Sequence, residues 1–233
     1  MKKNILVLWG LLLAAGCAQT VQPPEQPAPQ SSPAAAVQPP VASSALLAPE
    51  KAAEQAPAVF KTRFSTTKGD FTVEVHRDWA PHGADRFYNL VRVGYFDDAA
   101  FFRAVEGFMV QFGLHGSAEV NAKWREARIP DDAPTGQSNK RGFVTFATAG
   151  PNTRTSQIFI NYGENGALDS MGFTPFGKVV EGMETLDRLY KGYGDGPPRG
   201  MGPDQGRVHM EGNAYLKKEF PLLDYIKTAR LVP

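Results

Sequence analysis

"FFRAVEGFMVQFG", residues 101–113, sets a permanent cation, Arg103, and an amide, Gln111, inside a run otherwise dominated by phenylalanine, valine and methionine. A strand buried on both faces should exclude the arginine, because an unpaired buried charge is costly. A membrane span needs roughly 20 apolar residues, and this run is shorter and interrupted. Two readings remain: Arg103 points to water from a sheet edge, or it borders an apolar groove where a ligand meets it.

The surrounding sequence reads as one globular domain over residues 59–233. Apart from Trp9, the aromatic residues begin at Phe60, and all 15 phenylalanines fall in this part, enough for one sizeable core. "AVFKTRFSTTKGDFTVEVH" predicts two alternating strands around a turn at "TKGD", a β-hairpin. "PHGADRFYNLVRVGYF" predicts a helix with Phe87, Leu90 and Val91 on one face and Gly94 as its stop. Short strand-like runs follow at 100–103, 108–112, 142–147, 157–161 and 175–180. "EGMETLDRLYKG" predicts a second helix, and "FPLLDYIKTARLV" a last strand. No βαβ rhythm is present, so the pattern favours a mainly β fold, a closed barrel capped by helices.

Ahead of this domain lie two segments of different character. Residues 1–17, "MKKNILVLWGLLLAAGC", run from lysines through an apolar stretch to small residues, the order of a secretory signal. The end resembles a bacterial lipobox, with Ala14 where leucine is usual, and Cys17, the only cysteine in the chain, as the lipidated residue. A lipoprotein N-terminus carries more than one acyl chain, as stable anchoring requires. Ala18 after the cysteine favours the outer membrane of a Gram-negative cell, facing the periplasm. Residues 18–58 contain nine prolines and neither glycine nor aromatic residues. That composition cannot offset its ordering entropy by burial and reads as an extended linker.

Composition removes several function classes. Basic and acidic residues number 25 and 24, and no basic cluster marks a nucleic-acid face. One cysteine and four scattered histidines leave no metal-ligand spacing. "GYGDGPPRGMGPDQG", 192–206, lacks the lysine of a phosphate loop and reads as a plain loop. Asp131 and Asp132 read as a turn rather than a carboxylate pair. Ser156 has no nucleophile-elbow context. An apolar constellation without nucleophile, acid–base pair or metal remains.

Three runs in order, "FFRAVEGFMVQFG", "GFVTFATAGPNTRTSQIFIN" and "ALDSMGFTPFGKVVEGMETLDRL", resemble the cyclophilins, the peptidyl-prolyl cis-trans isomerases, over residues 60–190. The resemblance implies an eight-stranded antiparallel β-barrel capped by two helices, with no cofactor. It places Arg103 as the catalytic arginine and Gln111 as the glutamine that hydrogen-bonds the substrate backbone. Phe108 and Met109 fall on the positions that receive the proline ring. Ala147 and Thr148 match a lining pair, Gln157 and Phe159 the next pair, and Leu168 the apolar residue that closes the groove. Phe173 stands nearest the family's histidine, and Ala167 stands where cyclosporin-sensitive members have tryptophan. The implied partners are proline-containing segments of exported proteins, with the membrane reached through lipid on Cys17. A non-catalytic proline-peptide-binding or chaperone module is the alternative. No self-association signal appears, so a monomer is expected.

Overall fold

The computed structural model describes residues 45–233. Residues 1–44, including Cys17, the signal-like segment and most of the proline-rich stretch, lie outside the described residues. Eight strands form one antiparallel sheet: β1 Val59–Thr66, β2 Gly69–His76, β3 Arg103–Val105, β4 Met109–Phe112, β5 Phe143–Phe146, β6 Ile158–Asn161, β7 Pro175–Glu181 and β8 Ile226–Val232. Their order across the sheet is β3-β4-β6-β5-β7-β2-β1-β8.

β1 alternates as its sequence requires. Phe60, Thr62, Phe64 and Thr66 are buried, and Val59, Lys61 and Arg63 are exposed. The Phe64 and Phe71 rings, in register across the hairpin, stack with centroids 4.6 Å apart. The first helix, α1 Pro81–Arg92, starts with a proline whose missing N–H costs nothing at that position. It places Phe87 in the main core against Phe176, with ring centroids 5.1 Å apart. The Asp132 carboxylate accepts from the His82 and Gly83 amides at 2.8 and 2.9 Å, capping α1 from fifty residues away. Asp132 also binds the buried Arg154 Nη1 at 3.0 Å. The pair read as a turn therefore has an asymmetric structural role.

The expected closed barrel is not formed as a continuous ladder. The sheet is strongly curled but open, with β3 and β8 at its edges. Among the described residues its ends meet at a single bridge, Ala100 with Tyr225. Phe101 N donates to Asp224 O at 3.0 Å there, and Ile226 N to Ala99 O at 2.9 Å. The bridging residues precede the edge strands instead of lying in them: Ala100 comes before β3 and Tyr225 before β8.

Two further expectations change. Among the described residues five α-helices stand where two were expected. α1 and α3 (Met183–Asp187) match the readings, and α2 (Ala118–Trp124), α4 (Gln205–Glu211) and α5 (Asn213–Glu219) are additional. Each of the three is seven residues long, too short to show a clear apolar period. Residues 45–58, read as linker, lie against the domain as a strap. Trp124 Nε1 donates to Leu46 O at 2.8 Å, Glu54 N to Asn89 Oδ1 at 3.0 Å, and Ala56 N to Asp85 Oδ1 at 2.9 Å. Small apolar residues there pack on the main core while side chains of α1 and α2 satisfy the strap's backbone.

Candidate active site

β4, "MVQF", is buried along its whole length, yet its two faces meet different surroundings. Val110 and Phe112 enter the main core together with Ile158 and Ile160 of β6. Met109 and Gln111, on the opposite face, line a groove of about 410 Å³. A strand with period-two alternation can be apolar throughout when its outer face is the floor of a pocket. Gly113 ends β4 at φ +100°, where a Cβ would lie 2.3 Å from Ser156 O, so the chain after β4 passes close beside the segment entering β6.

The register brings the polar groups together. Arg103 of β3 pairs with Gln111 of β4, and Gln111 pairs with Phe159 of β6. Arg103 Nη1 donates to Gln111 Oε1 at 3.0 Å, and Gln111 Nε2 donates to Gln157 Oε1 at 2.8 Å. The Arg103 guanidinium carbon lies 5.9 Å from the Phe108 ring centroid. This relay assigns the amide orientations: each glutamine oxygen faces a donor.

The groove is lined by all ten of the residues placed there by the sequence: Arg103, Phe108, Met109, Gln111, Ala147, Thr148, Gln157, Phe159, Leu168 and Phe173. Phe159 and Phe173 meet edge to face at 5.8 Å. Leu168 and Phe173 stand on and beside the 3-10 turn Gly166–Met171, which is held by a buried polar cluster. Asn139 Nδ2 donates to Asp169 Oδ1 and to Phe173 O, both at 2.7 Å, and Thr145 Oγ1 donates to Asn139 Oδ1 at 2.8 Å. The Thr148 hydroxyl is engaged locally, by Gly150 O and the Thr153 hydroxyl.

Sequence reasoning missed the loop 192–206, read as plain connection. It sends Arg199 and Gln205 into the groove lining. It also places Asp195 on Arg103: Nε donates to Oδ1 at 2.7 Å and Nη2 to Oδ2 at 3.0 Å. The guanidinium's hydrogen bonds hold the Asp195 carboxyl below the ordinary value of 3.8. Both side chains are largely shielded, at 17% and 23% exposure. A carboxylate 92 residues from its partner leaves no local trace in the chain.

Chemically the site offers a shielded guanidinium, two linked amides and apolar walls along one groove. It has donors for a developing lone pair or a peptide carbonyl. Among the described residues no group of three potential metal ligands occurs.

The cyclophilin-type peptidyl-prolyl cis-trans isomerase family model matches residues 61–205. Peptidyl-prolyl cis-trans isomerase-like 3 of Mus musculus is 39% identical over 131 residues, covering 54% of this chain and 79% of that protein. A peptidyl-prolyl cis-trans isomerase of Arabidopsis thaliana is 36% identical over 140 residues, covering 57% and 85%. Among solved structures, a cyclophilin type peptidyl-prolyl cis-trans isomerase of Cryptosporidium parvum superposes with a TM-score of 0.56 at 23% identity, over 75% of this chain and 98% of that one. That likeness speaks for the fold, and the family model and curated relatives speak for descent. The chain belongs to the cyclophilin-type peptidyl-prolyl cis-trans isomerase family.

Proposed function

We propose that this protein catalyses rotation about X-Pro peptide bonds, with Arg103 stabilising the half-rotated amide. The barrier of about 20 kcal/mol arises from amide resonance, equivalent to roughly 0.01 per second uncatalysed. Reaching about a thousand per second requires lowering it by about 7 kcal/mol. No covalent bond is made or broken, so a nucleophile has no task. As the amide twists, the prolyl nitrogen regains a lone pair, and a guanidinium N–H donates to it. That bond exists only near the transition state, which is the condition for catalysis rather than tighter binding. The walls of Phe108, Met109, Phe159 and Leu168 exclude water and lower the local dielectric around it. Gln111 and Gln157 hold the flanking backbone, so rotation is confined to one bond.

The observation that carries this reading is the single pocket face shared by Arg103, Phe108, Met109, Gln111 and Phe159. A protease-coupled assay on a proline tetrapeptide tests it. Arg103→Ala should lose at least tenfold in kcat/KM with its circular dichroism unchanged, and a variant with wild-type rates refutes the mechanism. The second reading, a peptide-binding module without turnover, draws on the engagement of Arg103 by Asp195. It requires wild-type protein that binds proline peptides and gives no rate increase in the same assay.

The substrates on this proposal are proline-containing segments of exported proteins. The order of charge, apolar run and small residues in 1–17 supports export, and Cys17 at its end supports a lipid anchor on the periplasmic side of the outer membrane. Mass spectrometry of the mature N-terminus tests this: a diacylglyceryl-modified Cys17 is expected, and an unmodified or uncleaved terminus removes the anchor.

A further inference from the structure

We propose that Asp195 is a positioning residue that fixes the guanidinium plane of Arg103 for the rotating amide; this rests on the isomerase reading. The guanidinium has five N–H donors in a rigid fork. Asp195 takes one from Nε and one from Nη2, and Gln111 takes one from Nη1. Two N–H groups, one on each Nη, have no protein partner among the described residues. Gln111 alone is a single contact and leaves the plane free to turn about it. A bidentate carboxylate removes that freedom.

The seat for the carboxylate is built into the loop. Asp195 Oδ1 accepts from the Gly196 amide at 2.8 Å, and Asp195 O accepts from Gly202 N at 2.9 Å. A Cβ on Gly200 would stand 2.2 Å from Asp195 O, so only glycine lets the loop fold back this closely. The loop's base is wedged by Tyr193, whose ring meets Tyr190 at 4.9 Å and Phe220 at 5.0 Å. A partly exposed ion pair contributes little to stability, so so much local construction around one is better explained by geometry. Donation to a pyramidalising nitrogen needs a near-linear N–H, and small misplacements of a catalytic group cost large factors in rate. Asp195 itself is absent from the groove lining, so it acts through Arg103.

Asp195→Asn keeps the shape but offers one acceptor, and it places an amide N–H against the fork. The expected result is a kcat lowered about five- to tenfold, a KM within about twofold of wild type, and partial recovery of kcat in Asp195→Glu. Unchanged kcat, or a faster enzyme, overturns the proposal, the latter because the pair then restrains Arg103. An independent measurement needs no variant. In the wild-type protein the Arg103 Nε–H nuclear magnetic resonance should be shifted downfield and protected from solvent exchange. Exchange as fast as a free guanidinium overturns the proposal even where variants fail to fold. Wild-type protein inactive on every proline peptide would instead sink the isomerase reading, with the resonance still reporting the pairing.

Discussion

Arg103 and Gln111, eight residues apart in sequence, are direct cross-strand partners on β3 and β4, and their side chains hydrogen-bond at 3.0 Å across the ladder. The turn at Gly107 makes this possible by reversing the chain within a few residues. A cation is tolerated in an oily run because the same hairpin that carries it also brings its first hydrogen-bond acceptor. The far loop then supplies the compensating charge.

Arg103→Lys tests whether the fork or the charge matters. An ammonium on a flexible stem cannot satisfy a bidentate carboxylate and a glutamine oxygen while donating to substrate. The expected loss in kcat/KM is at least tenfold, about 1.4 kcal/mol of transition-state stabilisation. Retention of most of the rate would mean that positive charge alone suffices. A coupled isomerase assay with matched circular dichroism distinguishes the two.

The groove floor was legible in the chain because its residues sit on short strands in fixed order. β4 and β6 carry Met109, Gln111 and Phe159 at positions that alternate with core residues, so local pattern and site coincide. The hairpin and α1 were legible for the same reason of period. Asp195, Asn139 and Asp169 were not, because each acts through partners brought together only by the tertiary fold. α4 and α5 escaped notice because Gly212, at φ +58°, breaks a fifteen-residue stretch into two helices of seven residues each, at Gln205–Glu211 and Asn213–Glu219. The strap 45–58 was misread because composition reports on self-sufficiency, while its order comes from acceptors and donors on α1 and α2.

Arg199 predicts a charge preference in substrates. It and Arg103 are the charged side chains lining the groove. Arg103 has Asp195, whereas no carboxylate lies within ion-pair distance of Arg199 among the described residues. Tetrapeptides with glutamate beside proline should be turned over up to about fivefold faster than those with lysine, the range of a partly exposed ion pair. The ratio should fall toward one in Arg199→Gln and in about 1 M salt, where the screening length is near 3 Å. Equal rates for the two peptides in wild-type protein at low salt would dismiss the idea.

Removing the strap should weaken the fold without touching the groove. A chain beginning at residue 59 loses the Leu46, Glu54 and Ala56 hydrogen bonds and leaves the buried Asn89 amide without the Glu54 carbonyl. At about 1 kcal/mol per bond, the difference from a chain beginning at residue 45 should be roughly 2–4 kcal/mol. Urea unfolding reads it, and a red shift of Trp124 fluorescence should accompany it. Equal midpoints would show that the strap rests on the domain without stabilising it.

Stability should fall on mild acidification because two histidines are held neutral. Burial pushes the His115 imidazole below its ordinary value of 6.5, against the opposing pull of Asp98 and Asp97. Its Nδ1 accepts the Ser117 amide at 2.9 Å, a contact that protonation would turn into donor against donor. Burial likewise lowers His209, with the charge of Arg125 adding to it, and its Nδ1 has no hydrogen-bond partner. Between 6.5 and these depressed native values the unfolded chain binds protons that the native chain refuses, so unfolding becomes easier as pH falls. Above 6.5 neither histidine contributes a slope. Unfolding free energies measured from pH 8 to 5.5, where ordinary carboxylates remain ionised, should therefore be level at first and decline below about 6.5. The double variant His115→Asn with His209→Gln should be flatter over the same range. A wild-type profile that stays level or rises toward pH 5.5 would show that these imidazoles become charged without strain in the folded chain.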